Sequence, residues 1–130
     1  MGTIAARQRE RCRLLIVDDE AHLARTLEIL LADEHDVETV TSGLAAQTKL
    51  ESGASFDAIV CDLSMRDGSG MDLYAWLSAR CPASATRMIF MTGGAHTAEA
   101  HAFLERVPNP RVEKPFRLEE LQALVRSVTD

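Results

Sequence analysis

The sequence predicts an α/β domain built on one parallel sheet. Three observations carry this. Five short strand-like segments alternate with five segments of helical periodicity. The connections between them are short, which implies right-handed crossovers rather than hairpins. The first apolar segment is an unbroken run, as a strand covered on both faces requires. With 130 residues, the chain is long enough for one such domain with a real core and too short for two ordinary ones.

Residues 1–12 are polar and arginine-rich (Arg7, Arg9, Arg11) and read as a linker or tag remnant; residues 13–130 read as the domain. Arg13–Val17 is the first strand. A helix runs from Glu20 or Ala21 to about Ala32, with Leu23, Leu27, Leu30 and Leu31 on one stripe. Asp36–Val40 is a short second strand. Ser42 is placed to cap the next helix, which runs to about Glu51 with Ala46 and Leu50 as its core positions; Ser52-Gly53 ends it. Ala58–Cys61 is the third strand, closed by Asp62. A helix over about Met71–Ala79 follows, and Pro82 stops it from continuing. Arg87–Met91 is the fourth strand, with a sharp Thr92-Gly93-Gly94 loop behind it. Thr97–Arg106 is a helix with Ala100, Phe103, Leu104 and Val107 inward. Pro108-Asn109-Pro110 forces a turn into the short strand Arg111–Glu113. Leu118 to about Thr129 is the last helix, facing in through Leu121, Leu124, Val125 and Val128. Tyr74 and Trp76 lie on the third helix, and at least one is expected in the core.

Composition narrows the class. The formal charge of -6 argues against non-specific nucleic-acid binding, which needs a basic face. No apolar run reaches the roughly 20 residues that span a bilayer, and the N-terminus lacks an apolar signal core. The three cysteines, Cys12, Cys61 and Cys81, are not at metal spacing, and Cys61 reads as a small core residue. An odd thiol count without a signal core points to a reducing cytoplasm. His22, His35, His96 and His101 form no metal set, although His96 is near Thr92 in sequence.

The chemistry lies at the strand ends. Strands one, three, four and five end on Asp18/Asp19, Asp62, Thr92 and Lys114. In a parallel sheet these ends share one edge, where open α/β sheets bind ligands. Converging carboxylates repel unless a cation sits among them, and an all-oxygen cluster suits Mg2+. A nucleophilic carboxylate with metal, lysine and hydroxyl around it is what phosphoryl transfer needs. Each piece alone is an ordinary cap or turn; the order and the placement together are specific.

These residues resemble the receiver domain of two-component response regulators. The resemblance covers about Arg13 to Val128 and rests on Leu15-Ile16-Val17-Asp18-Asp19-Glu20, on Cys61-Asp62-Leu63 through Gly68-Ser69-Gly70-Met71-Asp72-Leu73, on Phe90-Met91-Thr92-Gly93 and on Glu113-Lys114-Pro115-Phe116. It implies a flavodoxin-like (βα)5 three-layer sandwich with strand order 2-1-3-4-5. It implies Asp62 as phosphoacceptor from a partner's phosphohistidine, on a histidine kinase or a histidine phosphotransfer domain. Asp19, Asp62 and the backbone carbonyl of Ser64 would hold Mg2+, with Asp18 helping through water. Lys114 would pair with the phosphoryl group, and Thr92 would draw its loop inward after phosphorylation. The Lys114–Pro115 bond is expected to be cis. Phosphorylation would switch the face made by the fourth helix, fifth strand and fifth helix, which a partner or a second copy would read.

Some positions depart from the family pattern. Arg66 stands where a proline is common, and Arg111 where an inward-turning Tyr or Phe is common. Ser64 and Gly94 occupy positions thought to tune phosphate lifetime. The stretch Phe90–Phe116 looks most like receivers fused to hybrid sensor histidine kinases, so the chain is expected to be either that or a stand-alone receiver. A Mg2+-dependent phosphatase or phosphotransferase with an aspartyl-phosphate intermediate is the enzymatic alternative. Such enzymes commonly carry a second acid two residues after the nucleophile, where this chain has Ser64. A phosphorylation-independent binding module is a third reading, opposed by the intact Asp18, Asp19, Asp62, Thr92 and Lys114 set. A nucleotide module lacks a glycine-rich loop after strand one.

Overall fold

The computed structural model describes residues 11–67, 69–93 and 97–130. The expectations for residues 1–10, Gly68, Gly94 and His96 lie outside the described residues. The strands are β1 (Cys12–Val17), β2 (His35–Val40), β3 (Ala58–Asp62), β4 (Met88–Thr92) and β5 (Arg111–Glu113). The main helices are α1 (Ala21–Leu31), α2 (Gly43–Glu51), α3 (Ser69–Arg80), α4 (Ala98–Arg106) and α5 (Leu118–Thr129). A one-turn helix, Pro82–Ala85, follows α3, with Pro82 in its first turn, where the missing N–H costs nothing. All pairings in the sheet are parallel, and the order is β2-β1-β3-β4-β5.

The core forms two layers. On one face, Leu15, Val17, Ile59, Cys61, Met88 and Phe90 pack against α2, α3 and α4 through Ala46, Leu73, Leu77, Phe103 and Leu104. On the other, Leu14, Ile16, Val60, Ile89, Met91 and Val112 pack against α1 and α5 through Ala24, Leu27, Leu31, Leu121 and Val125. Adjacent strand residues thus feed opposite layers, and burial on both faces explains the unbroken apolar runs. Tyr74 packs edge-on to Phe90 and Phe103, with ring centroids 5.8 and 5.4 Å away.

Local chemistry sets the element ends. The Ser42 hydroxyl accepts the Ala45 N–H at 3.0 Å and caps α2. Thr97 does the same for α4 through Ala100. Gly53 leaves α2 at φ +103°, a conformation glycine tolerates and side chains resist. Helix α3 starts at Ser69, earlier than the expected Met71, because the Asp67 carboxylate accepts the Ser69 N–H.

The structure departs from the sequence pattern at two places. Leu30, on the expected inner stripe of α1, is 46% exposed. The buried arc runs through Ala24, Leu27 and Leu31, and Leu30 falls at its edge, beside a groove shared with Phe116 and Leu118. Strand β1 begins at Cys12, and Arg11 already belongs to the fold. Its guanidinium bonds the carbonyls of Ala32, Asp33 and His35 and the Asp36 carboxylate, which holds the α1–β2 turn.

Candidate phosphoacceptor site

The register aligns the C-terminal strand ends on one edge. Val17 pairs with Cys61, Asp62 with Met91, and Thr92 with Glu113. The residue after β1 is Asp18, fully buried, with its N–H on the Val40 carbonyl. Its Oδ1 accepts the Glu20 N–H at 2.8 Å, which turns the chain into α1. At the end of β3, Asp62 is 1% exposed, and its Oδ1 accepts the Ser64 N–H at 2.7 Å. Gly70 backs this strand end so closely that a Cβ there would stand 2.8 Å from the Asp62 carbonyl. After β5, the Lys114 N–H donates to the Thr92 carbonyl at 2.8 Å, and the Lys114–Pro115 peptide is cis.

The Lys114 ammonium sits among three acids. It donates to Asp18 Oδ2 at 3.0 Å, to Asp62 Oδ2 at 3.1 Å and to Glu20 Oε1 at 3.1 Å. Burial raises the Asp18 carboxyl above its ordinary range, against the opposing Glu20 N–H and Lys114, and the Asp62 charge adds to the rise. Burial alone would lower Lys114; the bond to Asp18, the Asp62 charge and the bonds to Glu20 and Asp62 outweigh it and hold the ammonium charged. Both directions have one origin: two carboxylates removed from water share one cation. Cys61, beneath the site, is pushed up by burial and stays a neutral core thiol.

The sequence pattern of the response regulator receiver domain matches residues 14–126. The chain belongs to the response regulator receiver family. It is 34% identical over 118 residues to the response regulator protein PmrA of Pseudomonas aeruginosa, covering 90% of this chain and 52% of that protein. The chain therefore spans about half the length of the curated relatives it matches. Among solved structures, it is similar to a response regulator receiver protein from Sinorhizobium medicae, with TM-score 0.77, 29% identity and coverage of 92% and 95% of the two chains. It is also similar to the beryllofluoride-activated NtrC4 receiver domain dimer, with TM-score 0.76, 26% identity and coverage of 90% and 95%. These likenesses agree with the observed strand order.

In this receiver, Asp18, Asp62 and Lys114 meet directly, and Thr92 lies buried at the neighbouring strand end. Asp19 is exposed; it lines the same cleft, and its Oδ2 accepts the Arg66 N–H at 3.2 Å. The Ser64 hydroxyl accepts the Gly93 N–H at 2.9 Å and so ties the β3–α3 loop to the β4–α4 loop. Two cleft residues were not picked out as site residues from sequence: Glu20, which bonds Lys114, and Arg66, which lines the cleft. The run Asp18-Asp19-Glu20 held a signal for the first, a third acid beside two at the same strand end; it occupies the N-cap position of α1 but makes no side-chain cap bond.

The donor set suits a hard divalent cation. Carboxylate oxygens of Asp18, Glu20 and Asp62 lie within 4.8 Å of one another, with Lys114 Nζ bonded to all three. A site that draws an ammonium into a ring of oxygens has the charge and ligand type for such an ion. Among the described residues, no helix is long and apolar enough to cross a membrane.

Proposed function

We propose that this receiver accepts a phosphoryl group on Asp62 from the phosphohistidine of a histidine kinase or histidine phosphotransfer domain, with Mg2+ as cofactor. The observation that carries this is the state of Asp62: buried, at a strand end, with one oxygen on the Ser64 N–H and the other on Lys114. A carboxylate so fixed has already given up the rotational freedom that an attacking group must lose. A carboxylate oxygen forms the bond to phosphorus as the phosphorus–nitrogen bond to histidine breaks, and the imidazole nitrogen keeps the electron pair.

Asp19, Asp62 and the Ser64 carbonyl would hold the metal, with Asp18 through water and Glu20 added by the geometry. When bound, Mg2+ supplies positive charge to the acids and to the oxygens of the transferring group. Lys114 then turns from the acids to a phosphoryl oxygen. Thr92, buried at the end of β4, is the group that registers the product. The face of α4, β5 and α5 is the switched surface, for a partner or for a second copy. Arg111 is exposed there, so the aromatic half of the usual switch has no counterpart at this position. The domain's own chemistry is self-phosphorylation and autodephosphorylation only. The hybrid-kinase parentage rests on the Phe90–Phe116 resemblance.

The test is transfer from an isolated phosphohistidine donor domain. Label should leave the donor and appear on the wild-type chain, and Asp62→Asn should abolish it. Transfer that survives in Asp62→Asn would remove Asp62 from the role.

A further inference from the structure

The Lys114 ammonium has three N–H donors, and all three are engaged, by Asp18, Glu20 and Asp62. While it holds these acids it has no donor free for an approaching anion, and it must leave one of them before it can bind a phosphoryl oxygen. A second cation lines the same cleft. Arg66 lies four residues after Asp62 and is exposed. Its backbone N–H is fixed on Asp19 Oδ2. Among the described residues, its guanidinium makes no hydrogen bond or ion pair. Among the described residues, the cleft is lined by three carboxylates (Asp19, Glu20, Asp62), with Asp18 behind them on Lys114, against two cations, one of them enclosed. A phosphate dianion entering this negative field meets Arg66 as the available positive group. A planar guanidinium fork also suits phosphate oxygens better than a point charge does.

We propose that Arg66 is a specificity-determining residue of this site: its guanidinium binds the outer oxygens of the incoming phosphodonor and favours donors that present a dianionic phosphate. This rests on the phosphoacceptor reading of Asp62. With acetyl phosphate as donor, an Asp62 oxygen bonds to phosphorus while the bond from phosphorus to the acetyl oxygen breaks. Acetate leaves with the electron pair, and no proton is required.

The experiment measures kcat and KM for phosphorylation by acetyl phosphate, a dianion near neutral pH, and by phosphoramidate, whose protonated nitrogen offsets one of the phosphate charges. Intact mass is the readout, with saturating Mg2+, for wild type, Arg66→Gln and Arg66→Lys. Arg66→Gln should raise KM for acetyl phosphate about tenfold, the size of one charge-assisted contact, with kcat changed by less than about twofold. The rise for phosphoramidate should be smaller, and Arg66→Lys should recover most of the loss. The salt dependence of KM should be shallower in Arg66→Gln than in wild type. Mg2+ affinity by calorimetry should be the same in both. If KM is unchanged in Arg66→Gln while wild-type Asp62 is phosphorylated, the proposal fails and the phosphoacceptor reading stands. If Mg2+ affinity falls as much as KM rises, Arg66 acts through the metal site and the proposal fails. If wild-type Asp62 takes no phosphoryl group from either donor, both fall.

Discussion

Lys114→Met keeps the apolar stem of the side chain and removes its charge. Asp18 and Asp62, whose side chains are 0% and 2% exposed, then face each other with no cation between them. Removing one partner of a buried ion pair costs about 3–5 kcal/mol. Glu20 adds little, because its side chain is 65% exposed and such pairs contribute about 0–1 kcal/mol. The Lys114 side chain is 16% exposed, so water replaces part of it, and the variant no longer has to desolvate the ammonium. The lower end of the range, about 3 kcal/mol, is the expected loss. In a domain of this size that lowers the thermal midpoint by roughly 10–15 °C. The assay is thermal unfolding by circular dichroism at neutral pH with divalent metal chelated. The pH dependence has a definite sign. Without the lysine, which opposes the rise that burial gives Asp18, the folded state binds a proton on Asp18 more readily than the unfolded chain does. Acidification toward the carboxylate range therefore narrows the gap to wild type. Added Mg2+ narrows it as well. A Lys114→Met variant as stable as wild type at neutral pH without metal would refute the reasoning.

Three further predictions follow from single contacts. Burial depresses His35, with Arg11 and Arg126 adding to the effect against Glu34 and Asp36. The unfolded chain thus takes the proton first; stability is full above about pH 6.5 and falls with pH toward the lowered native value. Chemical denaturation across that window should show the slope in wild type and lose it in His35→Leu. Gly70→Ala puts a methyl against the Asp62 carbonyl and should cost about 1–3 kcal/mol, read from the denaturant midpoint. Ser64→Ala frees the Gly93 N–H and should cost about 1 kcal/mol, with faster hydrogen exchange at that amide than in wild type.

The sheet and most of the site were legible because both depend on short-range pattern. Runs such as Leu14–Val17 and Ala58–Cys61 report burial on two faces, and parallel crossovers leave strand ends on one edge. Asp18, Asp62 and Lys114 follow from that rule alone, from three segments far apart in sequence. What escaped depends on side-chain direction. Leucine spacing on α1 is compatible with a stripe through Leu30, whereas the packed helix turns Ala24, Leu27 and Leu31 into the core with Leu14 and Ile16. Neither the reach of Glu20 to Lys114 nor the anchoring of Arg11 on three carbonyls has any periodic signature. Arg66 appeared in sequence only as a departure from a common proline. Its N–H on Asp19 is a bond that proline lacks the donor to make.

If Asp62 is a metal-assisted phosphoacceptor, intact mass after incubation with acetyl phosphate, with and without Mg2+, will show it in wild type and not in Asp62→Asn. The wild type should gain one phosphoryl group in a reaction that requires Mg2+, and the variant should gain none. No gain with Mg2+ present, or an equal gain on Asp62→Asn, would contradict it.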